Sequence, residues 1–297
     1  MKVFVTGVCG QLGHDCVNEL ISRGHEVFGS DILDLSQDKY YKLDITNSQS
    51  VHEIISKIKP DAIIHCAGWT AVDLAEDEEN HEKVDAINHL GTKYIAQAAK
   101  DIDAKMVYIS TDYVFHGEGN TAWKPDYKNF APLNFYGKTK LDGEFEVANT
   151  LTKFFIVRIS WAFGVNGNNF IKTMIKISKN HDTVRVVNDQ IGTPTYMFDL
   201  ARLLVDMIET EKYGFYHATN DDGGNYISWY DFTKEIYSQA GISTKVIPVS
   251  TSEYGLSKAK RPFNSRLDKS KLIENGFKPL PNWKDALRRY LKELDII

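Results

Sequence analysis

The chain of 297 residues has only three cysteines, Cys9, Cys16 and Cys66, an odd number with no CxxC or CxxH spacing. That excludes a disulfide framework and a cysteine-based zinc site, and it favours a reducing compartment. The nine histidines are scattered without an HExxH pair. No uninterrupted apolar run approaches the roughly 20 residues of a membrane span. Neither does a basic segment precede an apolar one at the start, so no signal peptide is expected and the expected location is cytoplasmic. There is no block of like charges, and the net charge is −5. Without a basic field, nucleic acid is not an expected partner. Internal repeats, low-complexity segments and long linkers are also absent.

What is present is an alternation of short apolar runs with helical patterns. Candidate strands cover Lys2–Thr6, Glu26–Ser30, Tyr40–Leu43, Asp61–Cys66, Lys105–Ser110 and Phe154–Ile159. Helical periodicity fills 11–23, 48–58, 81–101 and 134–149, with Gly24 and Pro60 as stop signals. Strict β–α alternation with strands apolar throughout predicts a parallel sheet covered on both faces. The fold class is therefore α/β, a Rossmann-like doubly wound parallel sheet over residues 1–160. Residues 161–297 mix helices near 169–180, 196–210, 228–240 and Trp283–Leu294 with short strands at Thr183–Asn188, Gly214–Ala218 and Lys245–Val249. They predict a smaller α/β lobe for substrate, over the carboxyl ends of the sheet, with some segments returning to the first domain.

Two motifs carry chemistry. After the first strand come Gly7, Gly10 and Gly13, a GxxGxxG turn at the start of a helix. Such a turn lets the backbone approach a dinucleotide pyrophosphate and lets helix and strand pack. Asp31 ends the next strand, about twenty residues on, where a carboxylate accepts hydrogen bonds from a ribose diol and repels a 2′-phosphate. A solvated strand-end acid is the competing explanation. Asp44 ends the third strand, where contact with adenine competes with a simple helix-cap role near Thr46.

The second motif is Tyr136-Gly137-Lys138-Thr139-Lys140. The i, i+4 spacing puts a phenol and an ammonium on one helix face, and a nearby ammonium pulls a phenol's pKa down from about 10. Ser110-Thr111-Asp112-Tyr113 ends the fifth strand and places hydroxyls in the same cleft, although a Ser/Thr-stabilised turn explains it too. Together these predict an NAD(P)-dependent oxidoreductase using NADPH or NADH.

With Thr6–Gly13, Thr70-Ala71-Val72-Asp73, Ser110–Phe115, Tyr136–Lys140, Arg158–Trp161, Gly167–Phe170, Asn188–Gln190, Gly192–Thr195 and Arg261–Ser265 in order, the chain resembles the extended short-chain dehydrogenase/reductases. Within that family it is most similar to reductases of 4-keto nucleotide sugars. The resemblance implies that Tyr136 protonates the C4 oxygen, and that Lys140 holds the nicotinamide ribose and tunes Tyr136. It implies that Thr111 hydrogen-bonds the reacting oxygen, and that Asp112, Trp161, Asn169 and Arg261 meet the nucleotide-sugar substrate. Gly10, Gln11 and Leu12 would lie on the pyrophosphate, with Asp31, Asp44, Ile45, Gly68, Trp69 and Thr70 along the cofactor.

Local explanations stand beside several of these roles: core packing for Trp161, an ion pair for Arg261, a helix N-terminus for Asn169. Some relatives carry an acid where His14 stands, so Mg2+ stays possible without support from the residues here, and no metal ligand is assigned. A monomer and a homodimer are both compatible with the sequence. A 4,6-dehydratase is disfavoured because Tyr113 stands where that chemistry needs a second carboxyl. An epimerase, or a non-catalytic regulatory subunit that binds NADP, remains the alternative.

Overall fold

The computed structural model describes residues 1–297. Its frame is a seven-stranded, all-parallel sheet built from β1 (Lys2–Thr6), β2 (Glu26–Asp31), β3 (Tyr40–Lys42), β4 (Ala62–His65), β5 (Lys105–Thr111), β6 (Phe154–Ile159) and the late strand Gly214–His217. The order across the sheet is Gly214–His217, β6, β5, β4, β1, β2, β3. The order reverses between β1 and β4, so a crevice opens beyond their carboxyl ends, where open α/β sheets bind ligands. β1 and β4 are fully buried along Val3–Val5 and Ala62–Ile64, as strands covered on both faces must be.

Two apolar layers cover the sheet. On one face α1 (Gln11–Ser22) and α7 (Met197–Ile208) bury Leu12, Cys16, Leu20, Leu200 and Leu204 against Val3, Val5 and Val157. On the other, α2 (Ser48–Ile58), α4 (Gly91–Asp101) and α5 (Phe135–Thr150) close over Phe4, Ile63, Met106 and Tyr108. A third cluster, around Phe163, Phe232, Trp283 and Tyr290, holds the upper lobe together. That lobe contains α6 (Phe170–Ser178), α8 (Trp229–Gln239), the C-terminal helix Trp283–Glu293 and a parallel pair, Thr183–Val187 with Lys245–Val249.

The helical pattern at 81–101 is broken into α3 (His81–Asp85), a wider turn of i→i+5 type at Ala86–Leu90, and α4. The wide turn carries Asn88, whose side chain accepts from the Trp69 amide at 2.8 Å and donates to the Trp69 carbonyl at 3.2 Å. The loop after β4 is thereby tied to the helix layer. A π-type bulge of this kind often marks a functional position.

Candidate active site

A cleft of about 910 Å³ runs from the glycine turn, past the ends of β4 and β5, to the upper lobe. Its floor is shaped by close backbone approach. Gly7 has φ +70°, and a Cβ there would lie 2.7 Å from the Ala67 amide nitrogen; a Cβ on Gly13 would lie 2.1 Å from the Gly7 carbonyl oxygen. Gly10 is the N-cap of α1 and offers no side chain to its first amides. A cradle that side chains would fill, ending in unpartnered helix amides, fits a pyrophosphate.

Gly7, Gly10, Gln11, Leu12, Gly13, Gly68, Trp69 and Thr70 all line the cleft. Asp31, Asp44 and Ile45 do not. Asp31 instead accepts from the Cys9 amide at 2.9 Å and the Ile32 amide at 2.8 Å, so it holds the glycine turn against the end of β2. Asp44 accepts from the amide and hydroxyl of Thr46 at 2.9 and 2.8 Å, a local side-chain turn, while the cap of α2 is Asn47, which accepts from the Ser50 amide at 2.9 Å. Ile45 is buried against Gly91.

At the centre, α5 is brought against the turn after β5 by two features of its sequence. Asn134 caps the helix, accepting from the Gly137 amide at 2.7 Å. Gly137 lets the helix touch that turn, since a Cβ there would lie 2.4 Å from the Tyr113 carbonyl oxygen. Tyr136, Lys140, Thr111 and Asp112 therefore converge in the cleft. The Lys140 ammonium lies 4.1 Å from the centroid of the Tyr108 ring and makes no hydrogen bond to Tyr136. Burial pushes the Lys140 amine down to about 7, opposed by Glu144 and Cys66. Burial also pushes the Tyr136 phenol up; Asp112 adds to this and the Thr111 hydroxyl opposes it.

The expected lowering of the phenol by the ammonium is thus not present in the ligand-free protein. The reason is physical: both groups are out of water, and burial disfavours phenolate and ammonium alike. Thr111 sits between Tyr136 and Asp112. Its hydroxyl donates to Asp112 Oδ1 at 3.1 Å and accepts from the Tyr113 amide at 3.2 Å.

Behind this group lies a buried ion pair. Arg158 on β6 donates to both oxygens of Glu144 on α5, at 2.7 and 2.6 Å, and Ser110 on β5 donates to Glu144 at 2.5 Å. Both charged residues are 1% exposed. Since Glu144 lies one turn after Lys140, the pair clamps the catalytic helix to β5 and β6. His65 is also interior, hydrogen-bonded to Thr6 at 2.8 Å and to Thr92 at 3.2 Å; burial, with Lys140 nearby, drives it down to about 3. It is a neutral structural bridge between β1 and α4 in the wall of the cleft.

The upper end is aromatic and cationic. Trp161 stacks on Trp229 with centroids 3.8 Å apart and rings 18° from parallel, and both line the cleft. Trp161 is half-buried at the edge of the third cluster, against Phe232, and has a φ of +50°. Arg261 lines the same end but is paired with both oxygens of Asp73, at 3.0 and 2.7 Å. Asn169 is the capping residue its position suggested. It accepts from the Lys172 amide and donates to Gly164, Gln11 and Tyr290, while Asn168 faces the cleft. Trp229, Arg185 and Tyr254 also line this end and were not singled out from sequence. The alternation of buried Val184 and Val186 around exposed Arg185 was the one available signal.

Asp85, His89 and Asp142 come together on an outer face, away from the cleft, with His89 already bonded to Asp85 at 3.1 Å.

Comparison with known proteins agrees with this architecture. The chain is 37% identical over 292 residues to a spore coat polysaccharide biosynthesis protein of Bacillus subtilis, covering 98% of this chain and 97% of that protein. It is 39% identical to the dTDP-4-dehydrorhamnose reductase of Aggregatibacter actinomycetemcomitans, covering 97% of each. The crystal structure of dTDP-4-dehydrorhamnose reductase from Bacillus anthracis in complex with NADP superposes with a TM-score of 0.90 at 40% identity, covering 98% of this chain and 99% of that one. Residues 1–296 match the family model described as the RmlD substrate binding domain, and the chain belongs to that family.

Proposed function

We propose that this protein reduces the C4 keto group of dTDP-4-dehydro-L-rhamnose to give dTDP-L-rhamnose, a precursor of cell-surface polysaccharide, in the cytoplasm. The observation that carries the reading is the convergence of Tyr136, Lys140, Thr111 and Asp112 in one cleft between the glycine cradle and the Trp161–Trp229 stack. Relatives of that name share the whole length of the chain, and one was crystallised with NADP. A bound NADPH or NADH supplies the hydride.

The chain's own groups do the rest. The amides at the start of α1 and the open face of Gly7 and Gly10 receive the pyrophosphate. Lys140 holds the nicotinamide ribose, where ribose hydroxyls replace the water that its ammonium has lost. Tyr136 stays protonated at neutral pH, because burial raises its pKa, and it gives its proton to the C4 oxygen as negative charge develops there. Trp161 lies against the sugar, and Arg261, opened from Asp73, faces the substrate pyrophosphate with a guanidinium geometry suited to it.

The test is turnover of dTDP-4-dehydro-L-rhamnose with NADPH and with NADH, with the product analysed by mass. A gain of two mass units with cofactor oxidation supports reduction. An isomer of unchanged mass makes the protein an epimerase, and cofactor binding without turnover makes it a regulatory subunit.

A further inference from the structure

Asp112 is 2% exposed, yet no cation meets it. Its Oδ1 accepts from the Thr111 hydroxyl, and its Oδ2 is buried with no hydrogen-bond partner although the residue lines the cleft. The groups facing it come from every surrounding element: Thr111 at the end of β5, Tyr113 on the same turn, Tyr136 on α5, and Ser265 on the segment after Arg261. All four carry hydroxyls and are neutral at pH 7. The Arg261 guanidinium, close to Tyr113, spends itself on both oxygens of Asp73.

A buried carboxylate with no cation beside it, held only by hydroxyls and its own backbone amide, is poorly stabilised, and the neutral acid is the form such a setting favours. Burial accordingly pushes the Asp112 carboxyl up to about 7, with the Ser265 and Thr111 hydroxyls holding it down. The hydroxyl geometry points the same way. Thr111 has a single proton, for which Asp112 Oδ1 and the Tyr136 oxygen already compete. A sugar oxygen arriving between Thr111 and Tyr136 therefore finds its second donor on Asp112.

We propose that Asp112 binds the substrate as a carboxylic acid, its Oδ2–H donating to an oxygen of the hexose while Oδ1 accepts from Thr111. The proposal rests on the reading of the cleft as a nucleotide-sugar site. Its consequence is a pH-dependent affinity. The protonated fraction falls from about 0.9 at pH 6 to about 0.1 at pH 8, and an apparent Kd scales inversely with the competent fraction.

Calorimetric titration with dTDP-L-rhamnose at pH 6 and pH 8 tests it. The wild-type Kd should weaken about tenfold across that range. Asp112→Asn carries an amide donor and a carbonyl acceptor at every pH, so its Kd should change less than threefold while other groups such as Lys140 titrate as before. Asp112→Ala should bind at least tenfold more weakly than Asp112→Asn at both pH values.

A wild-type Kd that is flat with pH, together with a tenfold loss in Asp112→Asn at pH 6, would mean that the carboxylate does the binding. The flat wild-type profile alone overturns the proposal if the variants do not fold. Carbon-13 NMR of aspartate-labelled protein, assigned with either variant, gives a readout that needs no ligand: the Asp112 carboxyl should titrate near 7, and a midpoint below 5 overturns the proposal. If dTDP-L-rhamnose fails to bind at either pH, the substrate reading fails while the NMR titration still decides the state of Asp112.

Discussion

Replacing Arg158 by Met removes the partner of the deepest charge in the molecule. Glu144 loses two charge-assisted hydrogen bonds, of 2.7 and 2.6 Å, and keeps only the one from Ser110. The Pro125 carbonyl, to which Arg158 donates at 2.9 Å, also loses its donor. Glu144 is 1% exposed and Pro125 is buried, so water cannot compensate either group. Breaking a buried pair on one side costs about 3–5 kcal/mol. At roughly 2 °C per kcal/mol for a protein of this size, the melting temperature should fall by about 6–10 °C.

Urea unfolding should show a lower midpoint with an unchanged slope. Replacing both partners, as Arg158→Met with Glu144→Leu, removes the stranded charge and leaves the Ser110 hydroxyl and the Pro125 carbonyl unpaired. That should bring the cost back to about 2 kcal/mol. Turnover should fall in the single variant, because the pair holds α5, and with it Tyr136 and Lys140, against β5. A single variant within 1 kcal/mol of wild type, or a double variant less stable than the single one, would refute this reading of the clamp.

Trp161→Ala removes a half-buried ring that stacks on Trp229 and rests on the edge of the third cluster, a loss of about 1–2 kcal/mol where truncating a fully buried Trp costs 3–5. The melting temperature should stay within a few degrees while the substrate KM rises at least tenfold; a collapse in thermal stability would return Trp161 to the core. Lys140 has its folded-state pKa depressed to about 7 from an unfolded value near 10.5. The unfolded state therefore binds the extra proton between those values, and wild-type stability measured against Lys140→Met should rise by roughly 1 kcal/mol per pH unit from pH 7 to 10. Parallel stability curves for the two proteins would contradict the burial of that amine.

The first half of the fold was legible because each element is specified by neighbours in sequence. β1 and β6 run from Lys2 to Thr6 and from Phe154 to Ile159, and α2 from Ser48 to Ile58, as their apolar runs and stops predict. The strand at Gly214–His217 was visible as a strand, but its place beside β6 is a choice of partner more than fifty residues away. The wide turn at Ala86–Leu90 was not read from the periodicity, because the pattern over 81–101 is too short on either side of it to fix the change of phase that one extra residue makes.

Motif positions reached the cleft where the backbone itself is the signal, as at Gly7, Gly13 and Gly137. Where a short polar side chain had two possible partners, the sequence could not say which local contact it makes. Asp44 bonds the Thr46 amide in a turn, Asn169 caps α6, and Asp31 holds the glycine turn. Trp229 was invisible because nothing near it in sequence indicates that it stacks on Trp161. The states of Lys140 and Asp112 depend on desolvation by the assembled fold, which spacing does not encode.

The most direct measurement of the proposed chemistry is single-turnover reduction of dTDP-4-dehydro-L-rhamnose by Tyr136→Phe with saturating NADPH. The substitution keeps the ring, its edge-on contact with Tyr113 and the helix it belongs to, and removes only the proton donor. General acid catalysis is worth about 10²–10⁴-fold, so the rate should fall by that factor while cofactor affinity and melting temperature stay near wild type. A variant that retains more than about a tenth of the wild-type rate in the chemical step would place the acid elsewhere and contradict the role given to Tyr136.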